Sequence, residues 1–312
     1  MIMDRELWSV LTGVVAVLLL ASVIVSVKAR RAGAPTAGLT NLRERVNSWW
    51  IMAAVLGIAA LLGHTGTIIL FAIISFLAYR EFITLTPTRR GYHRALFWAF
   101  FVVIPMQYWL IHTIWYGLFI IFIPVYAFTL VPFRIVLAGD TERFLERSAK
   151  IQWGLLTCVY FISHIPALLL LEIDGYENQN VKLLLFLVLV TQFSDVFQYV
   201  WGKALGKHKI APTVSPNKTI EGFIGGIVTA SFIGGGLYWL TPFDFQQAVG
   251  LSLIVALMGF GGDLTMSAVK RDMGVKDFGA LIPGHGGVMD RMDSLTFAAP
   301  VFFHLTRYFF TG

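Results

Sequence analysis

Charge is scarce in this sequence. Asp, Glu, Lys and Arg make up 13% of its 312 residues, about half the ~25% of an ordinary soluble domain. So few charges cannot cover the water-facing surface of a chain this long, and 26 Phe and 9 Trp exceed what a soluble interior takes up. Cysteine is nearly absent too. The lone Cys158 excludes a disulfide framework and any Cys-based zinc or iron–sulfur centre, and within its apolar run it reads as a small buried hydrophobe. Internal repeats and low-complexity tails are lacking. The chain has long apolar runs instead, with 57% of residues hydrophobic, and a soluble globular fold is ruled out.

The pattern predicts an all-α, polytopic integral membrane protein of about ten transmembrane helices, with its active site at the cytoplasmic face of the C-terminal helices. The expected spans are residues 7–27, 48–63, 65–80, 95–112, 115–131, 151–171, 181–202, 216–240, 246–266 and 293–310. The second and third are short, about 24 Å at 1.5 Å per residue against a hydrocarbon core of about 30 Å; they read as a tight hairpin around Gly63-His64-Thr65-Gly66. The first has no cleavage pattern and is followed by Lys28, Arg30 and Arg31, so an uncleaved anchor is expected. Residues 28–47, with Gly33, Pro35 and Gly38, read as a loose linker. Residues 140–150, with Phe144 and Leu145 among charges, read as interfacial. The expected organisation is N-terminal membrane helices over 1–131, a connecting interfacial segment and middle helix over 132–180, and a catalytic membrane domain over 181–312.

Basic residues give an independent test. The connections 28–47, 80–94, 132–150, 203–218 and 267–292 hold 21 of the 24 Lys and Arg. Arg5, Lys182 and Arg307 fall on the other side, and the opposite loop 172–180 has no Lys or Arg. The positive-inside rule then places the five basic connections in the cytoplasm and both termini outside. The formal charge of +6 reports topology and attraction to anionic head groups, with no nucleic acid as partner. Compactness and the lack of sorting tails favour a bacterial inner membrane.

The segment 263–294 differs from the rest. On a helix continuing to about residue 271, Asp263, Ser267, Lys270 and Arg271 recur on one stripe, which is costly in a membrane unless it faces water or a site. Asp290 and Asp293, three apart, point the same way and are near enough to share a cation. With Asp263 they form an oxygen-only set suited to Mg2+; a second ion is left open. Gly284-His285-Gly286-Gly287 permits positive φ, so that successive N–H groups can face an anion. Lys276, Asp277 and Arg291 add charge around it.

The connection 195–222 points the same way. Ser215-Pro216 reads as an N-cap followed by proline at the first helical position. Asn217 and Lys218 would then open the next helix and form an anion site, with Glu221 one turn on, placed to orient Lys218. Asn217-Lys218-Thr219 fits the glycosylation pattern, but the topology puts it inside. Asp195, an acid near the cytoplasmic half of its helix, is a functional candidate. His64, His112, His164 and His304 show no ligand spacing and read as core or interface residues.

Carboxylates for Mg2+, cations and two backbone anion sites at one membrane face suit phosphoryl or nucleotidyl transfer. The sequence resembles the phosphatidate cytidylyltransferases (CDP-diglyceride synthases). That family's signature is matched by Ser267, Lys270-Arg271, Lys276-Asp277, Gly279, Pro283-Gly284-His285-Gly286-Gly287, Asp290-Arg291 and Asp293. An upstream family element is matched by Asp195, Tyr199, Gly202, Gly206-Lys207 and Ser215 to Gly222. Resemblance covers about residues 190–300. Family members commonly carry small residues after that Asp, where this chain has Phe197 and Gln198, a departure that points to a subfamily distinction.

The resemblance implies that CTP and phosphatidate give CDP-diacylglycerol and pyrophosphate, with Mg2+ required and Asp263 and Asp290 as metal ligands; Asp293 is added here from its spacing. Asp263, Asp290, Lys270, Arg271 and Lys218 are the expected catalytic group, with the three cations neutralising phosphates. Asp195, Ser215, Asn217, Lys218, Glu221, Ser267, Lys276, Asp277, His285, Gly286, Gly287 and Arg291 are the expected substrate-binding residues. The expected partners are CTP, phosphatidate or a related anionic phospholipid, the membrane itself and a second copy in a homodimer. A cytidylyltransferase or kinase acting on another phosphorylated lipid is the alternative. An anionic-lipid transporter ranks lower, because the acids cluster at one face and no halves repeat.

Overall fold

The computed structural model describes residues 5–32, 36–86, 90–139 and 141–311. Among the described residues, ten helical stretches overlap the expected segments: α1 Arg5–Ala32, α2 Ala37–Leu61, α3 Gly63–Thr84, α4 Tyr92–His112, α5 Tyr116–Val136, α6 Phe144–Leu170, α7 Val181–Leu205, α8 Ile220–Gly236, α9 Phe245–Asp272 and α10 Met289–Phe310. Seven of them, all but α2, α8 and α10, are long and apolar enough to cross a membrane. The protein is thus a polytopic helical membrane protein with fewer qualifying spans than the expected ten. The shortfall has a physical basis in α8, whose 17 residues reach about 26 Å, and in α10, whose first turns carry the site's charges.

Three local expectations are corrected. The 28–47 stretch is mostly helix: α1 runs on to Ala32, and α2 starts at Ala37 behind Thr36, whose Oγ1 accepts from Leu39 N at 3.3 Å. Gly33 and Pro35 lie outside the described residues. The helices flanking Gly63 have 25 and 22 residues, longer than the apolar runs alone suggest, because polar residues such as Arg43 and Asn47 continue the helix beyond the apolar run. Phe144 and Leu145 open α6 and do not form a separate interfacial segment; Asp140 lies outside the described residues.

Helices α4, α5 and α6 each contain a π-helical stretch, at Ala99–Val103, Phe122–Ala127 and Leu156–Phe161. Pro105, Pro124 and Pro166 lie in or just beyond these stretches, where a missing amide donor loosens the α-ladder. One apolar core runs from Leu7 to Phe303 and contains Cys158. His164 and His304, expected as core or interface residues, lie with ring centroids 5.3 Å apart.

The all-α expectation has one exception. Lys209–Ala211 (β1) and Ser215–Thr219 (β2) form an antiparallel hairpin between α7 and α8. Ser215 is therefore not an N-cap. Pro216 sits in a two-stranded ribbon, where proline is tolerated because neither strand has a second neighbour. The cap of α8 is Thr219, whose Oγ1 accepts from Gly222 N at 3.1 Å.

Candidate active site

Glycine sets the spacing of the site's helices. A Cβ on Gly262 of α9 would lie 2.5 Å from the carbonyl oxygen of Asp293, and one on Gly259 would lie 3.6 Å from the Ser294 side chain. The missing side chains let α9 and α10 approach closely enough for Asp263 and Asp293 to lie within electrostatic reach of each other. On the other flank, Gly222 and Gly226 of α8 pack on Gln198, where added Cβ atoms would meet it at 2.6 and 2.3 Å. This contact holds α7, and with it Asp195, against the group.

Asp195, Asp263 and Asp293 thereby converge from three helices. Asp195 is within electrostatic reach of Asp263, Lys218 and Arg291, with Ser294 beside it; Asp293 is within reach of Asp263, Lys270, Asp195 and Arg291. Lys218 Nζ donates to Asp263 Oδ2 at 2.5 Å and lies 4.5 Å from the centre of the Phe260 ring, an aromatic face that favours the cation. Ser267 Oγ donates to Asp263 Oδ1 at 3.3 Å, one turn along the predicted stripe. Arg291 Nε is buried with no hydrogen-bond partner among the described residues.

Asp290 and Asp293 do share a cation, and it is the ammonium of Lys270, 2.9 Å from Asp290 Oδ1 and 3.8 Å from Asp293 Oδ2. Their surroundings differ sharply. The Asp290 side chain is 2% exposed, and its Oδ2 accepts from Phe278 N at 2.8 Å and Gly287 N at 2.9 Å. Asp290 Oδ2 thus holds the loop that precedes α10, while Oδ1 is taken by Lys270 of α9. As the side chains stand, no group of three His, Cys, Asp or Glu among the described residues is placed to hold a metal ion; Lys218 pairs with Asp263, and Lys270 with Asp290 and Asp293. The donors that Asp195, Asp263 and Asp293 present are oxygens alone, the chemistry a hard cation such as Mg2+ takes.

The glycine loop is built differently from expectation. Gly284 and Gly286 do take positive φ, +72° and +83°. The loop amides, however, turn to the protein's own groups. Ile282 N donates to Gly286 O and His285 N to Ile282 O, Gly287 N goes to Asp290, and Val288 N and Met289 N donate to Glu81 at 3.0 and 2.9 Å. Within the predicted nest, the His285 and Gly287 amides are thus taken up by the protein itself. From α2, Arg45 Nε donates to Gly284 O at 3.0 Å and Ser48 Oγ to Pro283 O at 2.8 Å. His285 is buried edge-on to Trp49, and burial, with the Arg291 and Arg45 guanidiniums nearby, holds its imidazole below the ordinary value. Glu81, Arg45 and Ser48 carry no signal in the sequence, since each meets the loop across more than half the chain.

The other expected anion site is also corrected. Asn217 lies exposed on β2, and Lys218 beside it turns into the site from a strand, not from a helix's first turn. Glu221 does not orient Lys218. Its carboxylate accepts from Lys207 N at 3.0 Å and from His208 N, and it meets His208 Nδ1 at 2.6 Å. Arg271 ties the hairpin to the loop, donating to Val214 O and Val275 O at 3.2 Å. Lys276 and Asp277 lie exposed on the far arm of the loop.

The sequence model of the Cytidylyltransferase family matches residues 43–309. A relative in Escherichia coli (strain K12), "Uncharacterized protein YnbB", is 42% identical over 267 residues, 85% of this chain and 87% of its own. A phosphatidate cytidylyltransferase of Staphylococcus aureus (strain COL) is 40% identical over 127 residues, 40% of this chain and 49% of its own. One of Staphylococcus saprophyticus is 41% identical over 129 residues with the same coverage, so the chain spans about half the length of these two named enzymes. The family match takes in the carboxylates, the glycine loop and the helices that brace it, and the chain belongs to the cytidylyltransferase family, as a membrane-embedded nucleotidyltransferase.

Proposed function

We propose that this protein transfers a cytidylyl group from CTP to phosphatidate, giving CDP-diacylglycerol and pyrophosphate. The observation that carries the reading is the convergence of Asp195, Asp263 and Asp293 beside Lys218, Lys270 and Arg291, where polyphosphate charge can be balanced. The likeness of 40% of the chain to named phosphatidate cytidylyltransferases supports the lipid acceptor. In this reading a phosphatidate phosphate oxygen attacks the α-phosphorus of CTP, the bond from that phosphorus to the bridging oxygen breaks, and pyrophosphate leaves. The phosphate monoester is already largely ionised near neutral pH and needs no general base. Lys218, Lys270 and Arg271 neutralise phosphate charge, and the Arg291 Nε–H, unpartnered among the described residues, donates to a phosphate oxygen.

Mg2+ would be held by Asp263 and Asp293 with Asp195, and when bound supplies Lewis-acid stabilisation of the developing charge. Asp290 supports this set without ligating. The concentration of Lys and Arg on one side of the helices supports a cytoplasm-facing site in a bacterial inner membrane.

Another phosphorylated lipid as acceptor is the second reading, favoured by Gln198, which is wedged against Gly222 and Gly226 one turn from Asp195. Purified protein in lipid nanodiscs with radiolabelled CTP, Mg2+ and a panel of phospholipids separates the readings. Pyrophosphate release with phosphatidate alone supports the proposal, and release with a different phosphorylated lipid selects the second. Phosphoryl rather than cytidylyl transfer selects a kinase, and no turnover with any nucleotide contradicts every enzymatic reading.

A further inference from the structure

The N-terminus of α10 has no side-chain cap of its own. Its first amides would be left unsatisfied, yet Val288 N and Met289 N donate to the two carboxylate oxygens of Glu81, at the far end of α3. A carboxylate at this point also complements the helix dipole. The fit is close on both sides of the loop. A Cβ on Gly287 would lie 2.3 Å from Glu81 Oε2, and one on Gly279 would lie 2.6 Å from Oε1. These two glycines thus flank an acid contributed by the N-terminal half of the chain.

Glu81 is itself fixed. The neighbouring Phe82 is buried with its ring 6.2 Å from Phe278 of the loop, and Gly154 of α6 packs on Tyr79 and Phe82. Loop and helix start are therefore suspended between Glu81 on one side and Asp290 on the other. Asp290 carries Lys270, and Lys270 lies 3.8 Å from Asp293.

We infer that Glu81 is a positioning residue: through the Val288 and Met289 amides it sets the first turn of α10, and so the placement of Asp290, Lys270 and Asp293 in the site. The N-terminal helices are then part of the reacting assembly rather than a membrane anchor. This inference rests on the cytidylyl-transfer reading for its kinetic consequence and on geometry alone for its structural one.

The test uses the full chain in nanodiscs with Glu81→Ala and Glu81→Gln, measuring amide hydrogen exchange and CTP turnover with phosphatidate. In Glu81→Ala, exchange over residues 279–292 should speed by about tenfold, as expected where buried amides lose their acceptors, while residues 181–205 stay unchanged. The kcat should fall about 10²-fold, the size expected from a small misplacement of reacting groups, with KM for CTP within about threefold. Glu81→Gln keeps one acceptor oxygen and should recover part of the kcat.

Unchanged exchange in the loop overturns the inference. So does faster exchange along the whole chain with no recovery in Glu81→Gln, which marks Glu81 as an ordinary stabilising residue. If the wild-type protein transfers no cytidylyl group, the functional reading fails by itself. The exchange data then decide the positioning: confined loosening of 279–292 supports it, and an unchanged loop ends it.

Discussion

The two connections on the site's side of the helices invite comparison. Both are glycine-bearing, the first with three lysines and the second with one, and both read from sequence as backbone sites for anions. The hairpin at 206–219 is held by Glu221 in an exposed turn. The loop at 273–288 is held by Glu81 and the buried Asp290. In each case a carboxylate of the protein takes up several of the backbone donors, and the proposed function accordingly gives anion recognition to the side chains of Lys218, Lys270, Arg271 and Arg291. The difference lies in what each carboxylate holds. One fixes an exposed turn, and the other fixes the start of the helix that carries Asp293.

The sharpest way to break this contrast is Asp263→Asn. It leaves the Glu221, Glu81 and Asp290 contacts of both connections in place, releases the hairpin's Lys218 from its ion pair and removes charge where the three carboxylates meet, and turnover of CTP should fall by about 10²–10³-fold with a smaller loss of thermal stability than Asp290→Asn. Full Mg2+-dependent turnover would contradict the assignment.

Asp290→Asn should act through stability as well. An amide cannot accept from Lys270 and two backbone donors as a carboxylate does, and breaking a buried ion pair costs about 3–5 kcal/mol. The check is a clear drop in Tm with protease sensitivity appearing between residues 273 and 288. An unchanged Tm would show that the loop does not depend on Asp290.

Gly262→Val comes next. A side chain 2.5 Å from the Asp293 carbonyl forces α9 and α10 apart, at a cost of about 1–3 kcal/mol, and should depress activity more than stability. Glu221→Gln should change turnover by no more than about twofold, as an exposed contact contributes little. A collapse of activity there would erase the contrast between the two connections.

The smallest effect is in pH. Burial lowers the imidazole of His285 in the folded chain, so the unfolded chain binds its proton more readily and stability falls as pH drops below about 6.5. His285→Asn should flatten that slope in a Tm-versus-pH series.

Much of the site was legible from local spacing. The i,i+4 relation of Asp263 and Ser267 is a hydrogen bond, and the i,i+3 relation of Asp290 and Asp293 brings both to one ammonium. The glycines at 284 and 286 take the left-handed conformation foreseen for them. Periodicity could not say that Asp290 is buried with both oxygens taken by Lys270 and loop amides while Asp293 lies within electrostatic reach of Asp263, because burial depends on what other helices bring. Ser215-Pro216 misled for a local reason: an extended residue before proline looks the same whether a helix or a strand follows. Glu81, Arg45 and Ser48 stayed invisible because an acid near the end of an apolar helix reads as a boundary marker until its partner, some 200 residues on, is in place.

The proposed function divides the labour: Asp195, Asp263 and Asp293 would receive the divalent ion, and Asp290 holds the loop. Mn2+ binding followed by electron paramagnetic resonance, on wild-type protein and on the Asp263→Asn, Asp293→Asn and Asp290→Asn variants below their Tm, tests it most directly. The account predicts stoichiometric binding that is lost in the first two variants and kept in the third. Binding kept in Asp263→Asn and lost in folded Asp290→Asn would contradict it.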